Sequence, residues 1–375
     1  MAGYLITLDS EEALKECMES GLYSTRLSEP RNSVWSLHHE GTFADYLSMK
    51  EGDLIFFFIK RKIYGCGKLV NIGEDCKYLN YNEALNPRVT ATDYFFENHL
   101  IECSTQNNKC FCIFEPYPVF FRDGIDMDEV LQYRTSPFRS IRTLWKLSFI
   151  KMDNDEAKAL FDIFIKHNAD NLADSSYHYD FSETVHERLS ANDLTPYRMK
   201  SSDLIKTCTD DTKHSLKHEM AIEAVLCDLL CHEGIEPFGK WDYISHQVAA
   251  SPMKPVDYID KMDVFGYKYI EGYDVIGKYL IIEIKKDMAN SDVVEQILKY
   301  ADWVANEYAN GDYSMIEAYI VALDFENNVQ PLVEQYGKRN FTKGYRPTQF
   351  CEWSDIKLVK YSSNGEMLTF CIENN

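Results

Sequence analysis

The sequence predicts two domains, an α+β domain built around a small β-barrel followed by an α/β domain. Residues 54–72 and 109–121 are long, apolar strand patterns rich in aromatic residues, which is typical of a barrel. In the second half of the chain strand patterns alternate with helix patterns, which favours a sheet covered by helices. The length of 375 residues agrees with this division, because one domain takes roughly 150 residues.

The predicted domain boundary is a polar segment, residues 167–212. It is poor in aliphatic side chains and its polar tract ends at Pro196, a composition typical of a linker. The sequence therefore predicts a first domain over residues 1–166 and a second over residues 213–375.

The first domain begins with a strand pattern at residues 3–8. Residues 10–20 follow as a helix, because Ser10 can cap it and carboxylates fill its first turn. Two glycines, Gly65 and Gly67, interrupt the next strand pattern and indicate a bulge or a sharp bend, as in small barrels. An amphipathic helix at residues 154–166 closes this domain.

The second domain begins with a helix and ends with a hairpin whose turn is Asn364–Gly365. Between them the patterns alternate in type. The expected elements are a helix at 215–231, strands at 243–249, 262–270 and 278–285, a helix at 291–309, a strand at 316–324 and a helix at about 327–337.

The composition excludes some classes of function. The 39 Lys and Arg against 60 Asp and Glu give a net charge of −21, which argues against a general cationic coat for nucleic acid. An enzyme acting on nucleic acid stays possible, because carboxylates that hold metal ions also make a chain acidic. Aromatic residues reach 14%, enough for stacking surfaces as well as a core.

A cytoplasmic location is expected from three negative observations. The N-terminus has no cationic start followed by an apolar stretch, so no signal peptide is expected. The longest strongly apolar run, residues 54–59, is far short of the roughly 18 residues of a membrane helix. The eleven cysteines form no CxxC pair and are expected to be reduced and mostly buried, with zinc at Cys227, Cys231 and His232 as the alternative.

The most informative stretch is residues 261–287. Glu283 and Lys285 are two apart in an apolar strand pattern, so their side chains point to the same face. A carboxylate and an ammonium group in such a strand are costly unless they are paired, bind a metal or line a cleft. With Asp263 on a neighbouring strand, two carboxylates could share a divalent cation such as Mg²⁺. Such a metal would polarise a phosphate, and Lys285 could position the attacking water.

The predicted helices before and after this stretch carry further polar residues. Glu223 is a carboxylate within an apolar helix pattern, and it is the first candidate for an acid that this helix contributes to the site. Glu219, one turn earlier, is the second candidate for this helix acid. After the strands, Gln296 and Tyr300 are four residues apart and share one helical face.

Together these residues resemble the PD-(D/E)XK nuclease superfamily, in the branch of RecB-type nucleases and mismatch endonucleases. The resemblance covers about residues 215–325 and implies a restriction-endonuclease-like α/β fold. It implies Mg²⁺ (or Mn²⁺) bound by Asp263 and Glu283, and a QxxxY element at Gln296 and Tyr300. Met262 stands where the family has a proline. The alternative without catalysis makes Asp263 a turn residue and Glu283 with Lys285 an ion pair on an edge strand. Gln296 and Tyr300 would then belong to a solvated helix face.

The first half, about residues 1–165, resembles the YTH/EVE (PUA-like) family of modified-base readers. Trp35 matches the aromatic residue that forms one wall of the family's base cage. The candidates for a second wall are Tyr94, Phe95 and Phe96. An aromatic cage restores the stacking that a flipped base loses. The alternative for Trp35 is a core tryptophan.

The two resemblances jointly imply a metal-dependent DNA endonuclease that is directed to a modified base, in restriction or antiphage defence. One alternative is a structure-specific or mismatch-specific repair nuclease, and another is a non-catalytic reader of methylated nucleic acid. A double-strand break needs two active sites and the chain has one candidate, so a homodimer is expected. No membrane partner is expected.

Overall fold

A computed structural model describes residues 1–89, 99–101, 108–133, 136–144, 148–210, 214–251 and 258–373. Within these ranges the chain divides into two compact units. The first unit contains residues 1–34 and 45–199, and the second contains residues 35–44 and 200–375. The segment predicted as a linker therefore divides, because its residues up to Met199 pack within the first unit.

The first unit contains one mixed sheet in its described residues. Its strands lie in the order β2-β6-β4-β3-β1-β8, with β5 on β6 and β7 on β4. The strands are β1 (Gly3–Thr7), β2 (Leu22–Arg26), β3 (Leu54–Ile59), β4 (Lys62–Leu69), β5 (Lys77–Leu79), β6 (Asn108–Pro116), β7 (Ile125–Asp126) and β8 (Phe149–Met152). The pairing described here leaves the path open between β2 and β8, and the PUA-like barrel stays a prediction.

The glycine-rich part of β4 is irregular, as its sequence indicates. The register between β3 and β4 shifts between Ile55 and Phe57. Gly65 has a φ of +76°, and a Cβ there would lie 2.3 Å from the Met18 side chain. Both the backbone conformation and the close approach therefore require glycine at this position.

Helices cover this sheet and bury an apolar core. Phe56, Ile63, Ile150 and Leu160 belong to the same buried cluster. The helices of the first unit are α1 (Glu11–Ser20), α3 (Met127–Tyr133), α4 (Ser140–Leu144), α5 (Asn154–His167) and α6 (Thr184–Ser190). Helix α2 (Leu37–Leu47) has its residues 37–44 in the second unit.

The polar segment after α5 is anchored by a few contacts with the first unit. His186 Nε2 lies 3.2 Å from the carbonyl oxygen of Gly21. The rings of Phe181 and Phe120 pack edge to face, and Leu189 is fully buried. A few apolar side chains therefore attach a segment whose overall composition indicated a linker.

The second unit is built on a six-stranded sheet in the order β11-β12-β13-β14-β17-β18. Strands β13, β14 and β17 run parallel, and the other neighbours are antiparallel. The strands are β11 (Tyr243–Ala249), β12 (Lys261–Tyr269), β13 (Ile276–Ala289), β14 (Ile316–Phe325), β17 (Ile356–Ser363) and β18 (Leu368–Ile372). Two short ladders complete the unit, β9 (Thr209–Asp210) with β10 (Ser215–Leu216) and β15 (Arg339–Lys343) with β16 (Gln349–Trp353).

Helices α8 and α9 contact the strands of this sheet that carry the predicted site residues. Helix α8 is buried on nearly all sides, which explains its almost continuous apolar sequence. The helices of this unit are α7 (Ser201–Cys208), α8 (Glu219–His232), α9 (Asp292–Glu307) and α10 (Val329–Tyr336). In the described part of the chain, no helix combines the length and apolar character needed to cross a membrane.

Candidate active site

Asp263 and Glu283 occupy facing positions on the antiparallel strands β12 and β13. The antiparallel register pairs Val264 with Ile282, so the adjacent residues Asp263 and Glu283 lie across from each other. Directly opposed residues of such a pair project to the same face, with Cβ atoms about 5 Å apart. The backbone N–H of Ile284 donates a hydrogen bond of 2.7 Å to Asp263 Oδ2 and orients this carboxylate.

Glu283 and Lys285 form an ion pair on this face. Lys285 Nζ lies 2.5 Å from Glu283 Oε1. Glu283 has no exposed surface, whereas 32% of the Lys285 side chain is exposed. The second oxygen of Glu283, Oε2, is buried without a hydrogen-bond partner among the described residues. A buried carboxylate oxygen with no donor is unfavourable unless a cation binds it or the carboxyl group is protonated.

The ionisation of these groups reflects their crowding. Burial raises the pKa of Asp263 well above its ordinary range, and the charges of Glu283 and Glu223 raise it further. Burial also raises the pKa of Glu283, although Lys285 partly offsets this effect. Burial acts to lower the pKa of Lys285, but the carboxylates around it, Glu283 first, outweigh burial and raise that pKa. Lys285 therefore stays protonated at neutral pH, among carboxylates that a cation would stabilise.

Helix α8 contributes two acids to this region. Glu223 is 2% exposed, and both of its carboxylate oxygens lie 3.0 Å from Gln247 Nε2. Glu219, in the first turn of the helix, accepts a hydrogen bond of 3.3 Å from the backbone N–H of Lys286. The charge of Glu223 acts on the pKa of Asp263, and the charge of Glu219 acts on that of Glu283. Both candidates for the helix acid therefore border the carboxylate pair.

The polar residues of α9 approach the same carboxylates. Gln296 Nε2 donates a hydrogen bond of 2.9 Å to Tyr300 Oη, and Tyr300 is 4% exposed. Burial raises the pKa of the Tyr300 hydroxyl, and the charges of Glu283 and Asp263 raise it further. Tyr300 is therefore held protonated beside the acids, and Gln296 reaches this region through Tyr300.

The residues present fit a hard divalent cation. Mg²⁺ needs only one or two carboxylates from a protein and completes its shell with water and phosphate oxygens. Asp263 and Glu283 supply two carboxylates, one of which has an unpartnered oxygen. In the described residues no group of three or more His, Cys, Asp or Glu could hold a metal ion, which leaves no zinc site at Cys227, Cys231 and His232.

The structure adds three residues to this region that the sequence patterns did not reveal. Gln247 donates to Glu223 and also, over 3.3 Å, to Asp263 Oδ1. Glu40 is fully buried in the second unit, and its Oε1 lies 2.8 Å from His218 Nδ1. Burial raises the pKa of Glu40, and the charge of Glu223 contributes to this rise. No local signal indicates Gln247, which follows the polar residues Ser245 and His246 in β11, and none relates Glu40 to His218.

The predicted base-binding residues lie elsewhere. Trp35 belongs to the second unit and is 1% exposed, with its ring 5.2 Å from His39 and 5.1 Å from Phe43 between centroids. A cage wall must offer an aromatic face to its ligand, and the indole of Trp35 is covered here. The other three candidates, Tyr94, Phe95 and Phe96, lie outside the described residues.

No family model matches the chain, and no curated protein matches it. Parts of the chain are similar to solved structures. A repair endonuclease from Pyrococcus abyssi is 22% identical over 25% of this chain and 36% of its own, with a TM-score of 0.17. A structure of EndoMS with double-stranded DNA is 21% identical over 28% and 35% of the two chains, with a TM-score of 0.19. A protein from Pseudomonas putida is 15% identical over 44% and 97%, with a TM-score of 0.25. The chain thus spans about a third of the length of the first two.

Proposed function

We propose that the second unit is a divalent-metal-dependent endonuclease that hydrolyses phosphodiester bonds in DNA. One observation carries the proposal: Asp263, Glu283 and Lys285 converge from two neighbouring strands. Two carboxylates beside an ammonium group form a site for a cation and an anionic phosphate together. The unpartnered Oε2 of Glu283 supports a role as a ligand, because buried carboxylate oxygens normally have a hydrogen-bond partner.

Each residue then has a defined task. Asp263 and Glu283 would bind Mg²⁺ or Mn²⁺ through their carboxylate oxygens, and the hydrogen bond from Ile284 keeps Asp263 oriented. The bound ion would polarise the scissile phosphate and lower the pKa of the attacking water. Lys285, which stays protonated, orients that water and offsets the negative charge that develops on the phosphate. Tyr300, also protonated, borders the site and accepts a hydrogen bond from Gln296.

Cleavage of supercoiled plasmid tests this proposal. The full-length protein should nick or linearise plasmid with Mg²⁺ and should lose this activity in EDTA. Asp263→Ala and Glu283→Ala should each lower the rate by more than about 100-fold, because even residues that only support metal ligands cost 10–100-fold. Asp274→Ala, an exposed aspartate between β12 and β13, is the matched control and should keep the wild-type rate. Substantial Mg²⁺-dependent cleavage by either site variant would refute the proposal.

Direction to a modified base is the finer part of this proposal. It is supported by the resemblance of residues 1–165 to the YTH/EVE family, whereas the burial of Trp35 does not support it. The same assay on methylated and unmethylated plasmid separates the possibilities. A preference for methylated DNA would support modification-dependent restriction. Equal cleavage of both would favour a structure-specific or mismatch-specific nuclease, and the absence of cleavage would favour a non-catalytic reader.

A further inference from the structure

Gln247 links two of the acids around the proposed metal site. It lies in β11 directly across from Asp263, because the register pairs His246 with Val264 and Val248 with Met262. Its Nε2 lies 3.0 Å from each oxygen of Glu223 and 3.3 Å from Asp263 Oδ1. One side-chain amide therefore connects an acid on helix α8 with an acid on strand β12.

The chemistry of the contacts determines which end of the amide faces the acids. Carboxylate oxygens accept hydrogen bonds, and only the NH₂ end of Gln247 can donate to them. The carbonyl end would place a third negative dipole beside Glu223 and Asp263. The amide is therefore oriented by its partners and works as a double donor.

A neutral donor has an advantage at this position. Lys or Arg could also donate to both acids, but its positive charge would compete with a divalent cation. Gln247 holds the two carboxylates near each other and leaves their negative charge available. This is the usual work of groups that support metal ligands, which orient a carboxylate without binding the metal.

The backbone conformation of Gln247 is one that the surrounding structure imposes, because glutamine rarely adopts it by itself. Its φ is +52°, in the left-handed region that residues other than Gly, Asn and Asp seldom adopt. Such conformations persist where the surrounding structure imposes them, and they are concentrated at functional sites. In β11 this conformation coincides with the hydrogen bonds to Glu223 and Asp263.

We propose that Gln247 is a positioning residue, which holds Glu223 beside Asp263 and thereby keeps Asp263 oriented for a divalent cation. The inference rests on the proposed function in that Asp263 and Glu283 bind this cation. It assigns Gln247 no contact with the substrate and no contact with the metal.

Mn²⁺ binding to the full-length protein, measured by calorimetry, tests the role of the amide. Gln247→Ala and Gln247→Gly both remove it and should both weaken Mn²⁺ binding by about 10–100-fold. Glycine accepts a positive φ, so Gln247→Gly should melt at a higher temperature than Gln247→Ala. Gln349→Ala, in the exposed part of β16, is the matched control and should bind Mn²⁺ as the wild type does.

The outcomes separate the amide from the backbone and from the proposed function. If Gln247→Gly bound Mn²⁺ as tightly as the wild type while Gln247→Ala did not, only the backbone conformation would matter. This result would overturn the inference. Wild-type binding by both variants, with binding lost in Asp263→Ala, would overturn the inference and leave the proposed function standing. If the wild-type protein itself bound no Mn²⁺, the metal site and the role of Gln247 would both be refuted.

Discussion

Replacing Asp263 with asparagine should stabilise the protein in the absence of metal. Burial and the neighbouring acids raise the pKa of Asp263 well above its ordinary value of 3.8, so its ionised form is unfavourable in the folded state. A group with a raised pKa in the folded state contributes stability below its ordinary pKa. This contribution is lost as the pH rises through the folded pKa. Asparagine keeps the oxygen that accepts from Ile284 N–H and removes the charge.

The size of the effect depends on how far the pKa of Asp263 is raised on folding. A pKa higher by one in the folded state corresponds to about 1.4 kcal/mol, and weakened hydrogen bonds subtract about 0.5–1 kcal/mol. Asp263→Asn should therefore be more stable than the wild type at pH 8 in EDTA, because the pKa of Asp263 is raised well above its ordinary value in the folded state. At pH 3.5 the gain should vanish, because the wild-type carboxyl group is then protonated in the folded and largely protonated in the unfolded state.

Urea unfolding of both proteins at the two pH values, with and without Mg²⁺, provides the measurement. Mg²⁺ should stabilise the wild type by mass action and should stabilise Asp263→Asn much less. Asp274→Asn changes the net charge equally at an exposed position and should be neutral. The reasoning is refuted if Asp263→Asn is less stable than the wild type at pH 8 in EDTA, or if its gain is the same at both pH values.

Two further substitutions separate the roles of other residues. Lys285→Met should lower the rate of plasmid cleavage by about 10²–10³-fold while Mn²⁺ binding measured by calorimetry is kept, because Lys285 acts on water and phosphate. Loss of Mn²⁺ binding with unchanged turnover would contradict that role. Trp35→Ala should lower the free energy of unfolding by about 3–5 kcal/mol, because the indole is 1% exposed. An unchanged melting temperature together with a lost preference for methylated DNA would instead support the base cage.

Local sequence patterns predicted much of the second unit. The expected strand at 262–270 is observed as Lys261–Tyr269, and the expected helix at 291–309 as Asp292–Glu307. These elements were predictable because apolar periodicity and length are properties of neighbouring residues. The helix expected from residue 215 begins at Glu219 instead. Ser215 and Leu216 pair with β9, a contact that the periodicity of the helix could not indicate.

The same patterns selected the acids of the candidate site. Glu283 and Lys285 share a face because strand side chains alternate, which the spacing of two residues already determines. The sequence also placed Gln296 and Tyr300 on one face of α9, where they form a hydrogen bond. Helix and strand periodicity therefore determined which side chains could act together within one element.

Contacts between elements were decided only by the tertiary structure. The antiparallel register of β12 and β13 brings Asp263 opposite Glu283, and that of β11 and β12 brings Gln247 opposite Asp263. The packing of α8 on these strands then brings Glu223 within reach of Gln247. Residues 35–44 join the second unit, where Glu40 meets His218 and Trp35 is buried. Registers and long-range contacts depend on the burial of whole apolar faces and on hydrogen bonds between distant residues. Local propensity carries no information about them, which is why the residues of the acidic site were predictable singly and their mutual contacts were not.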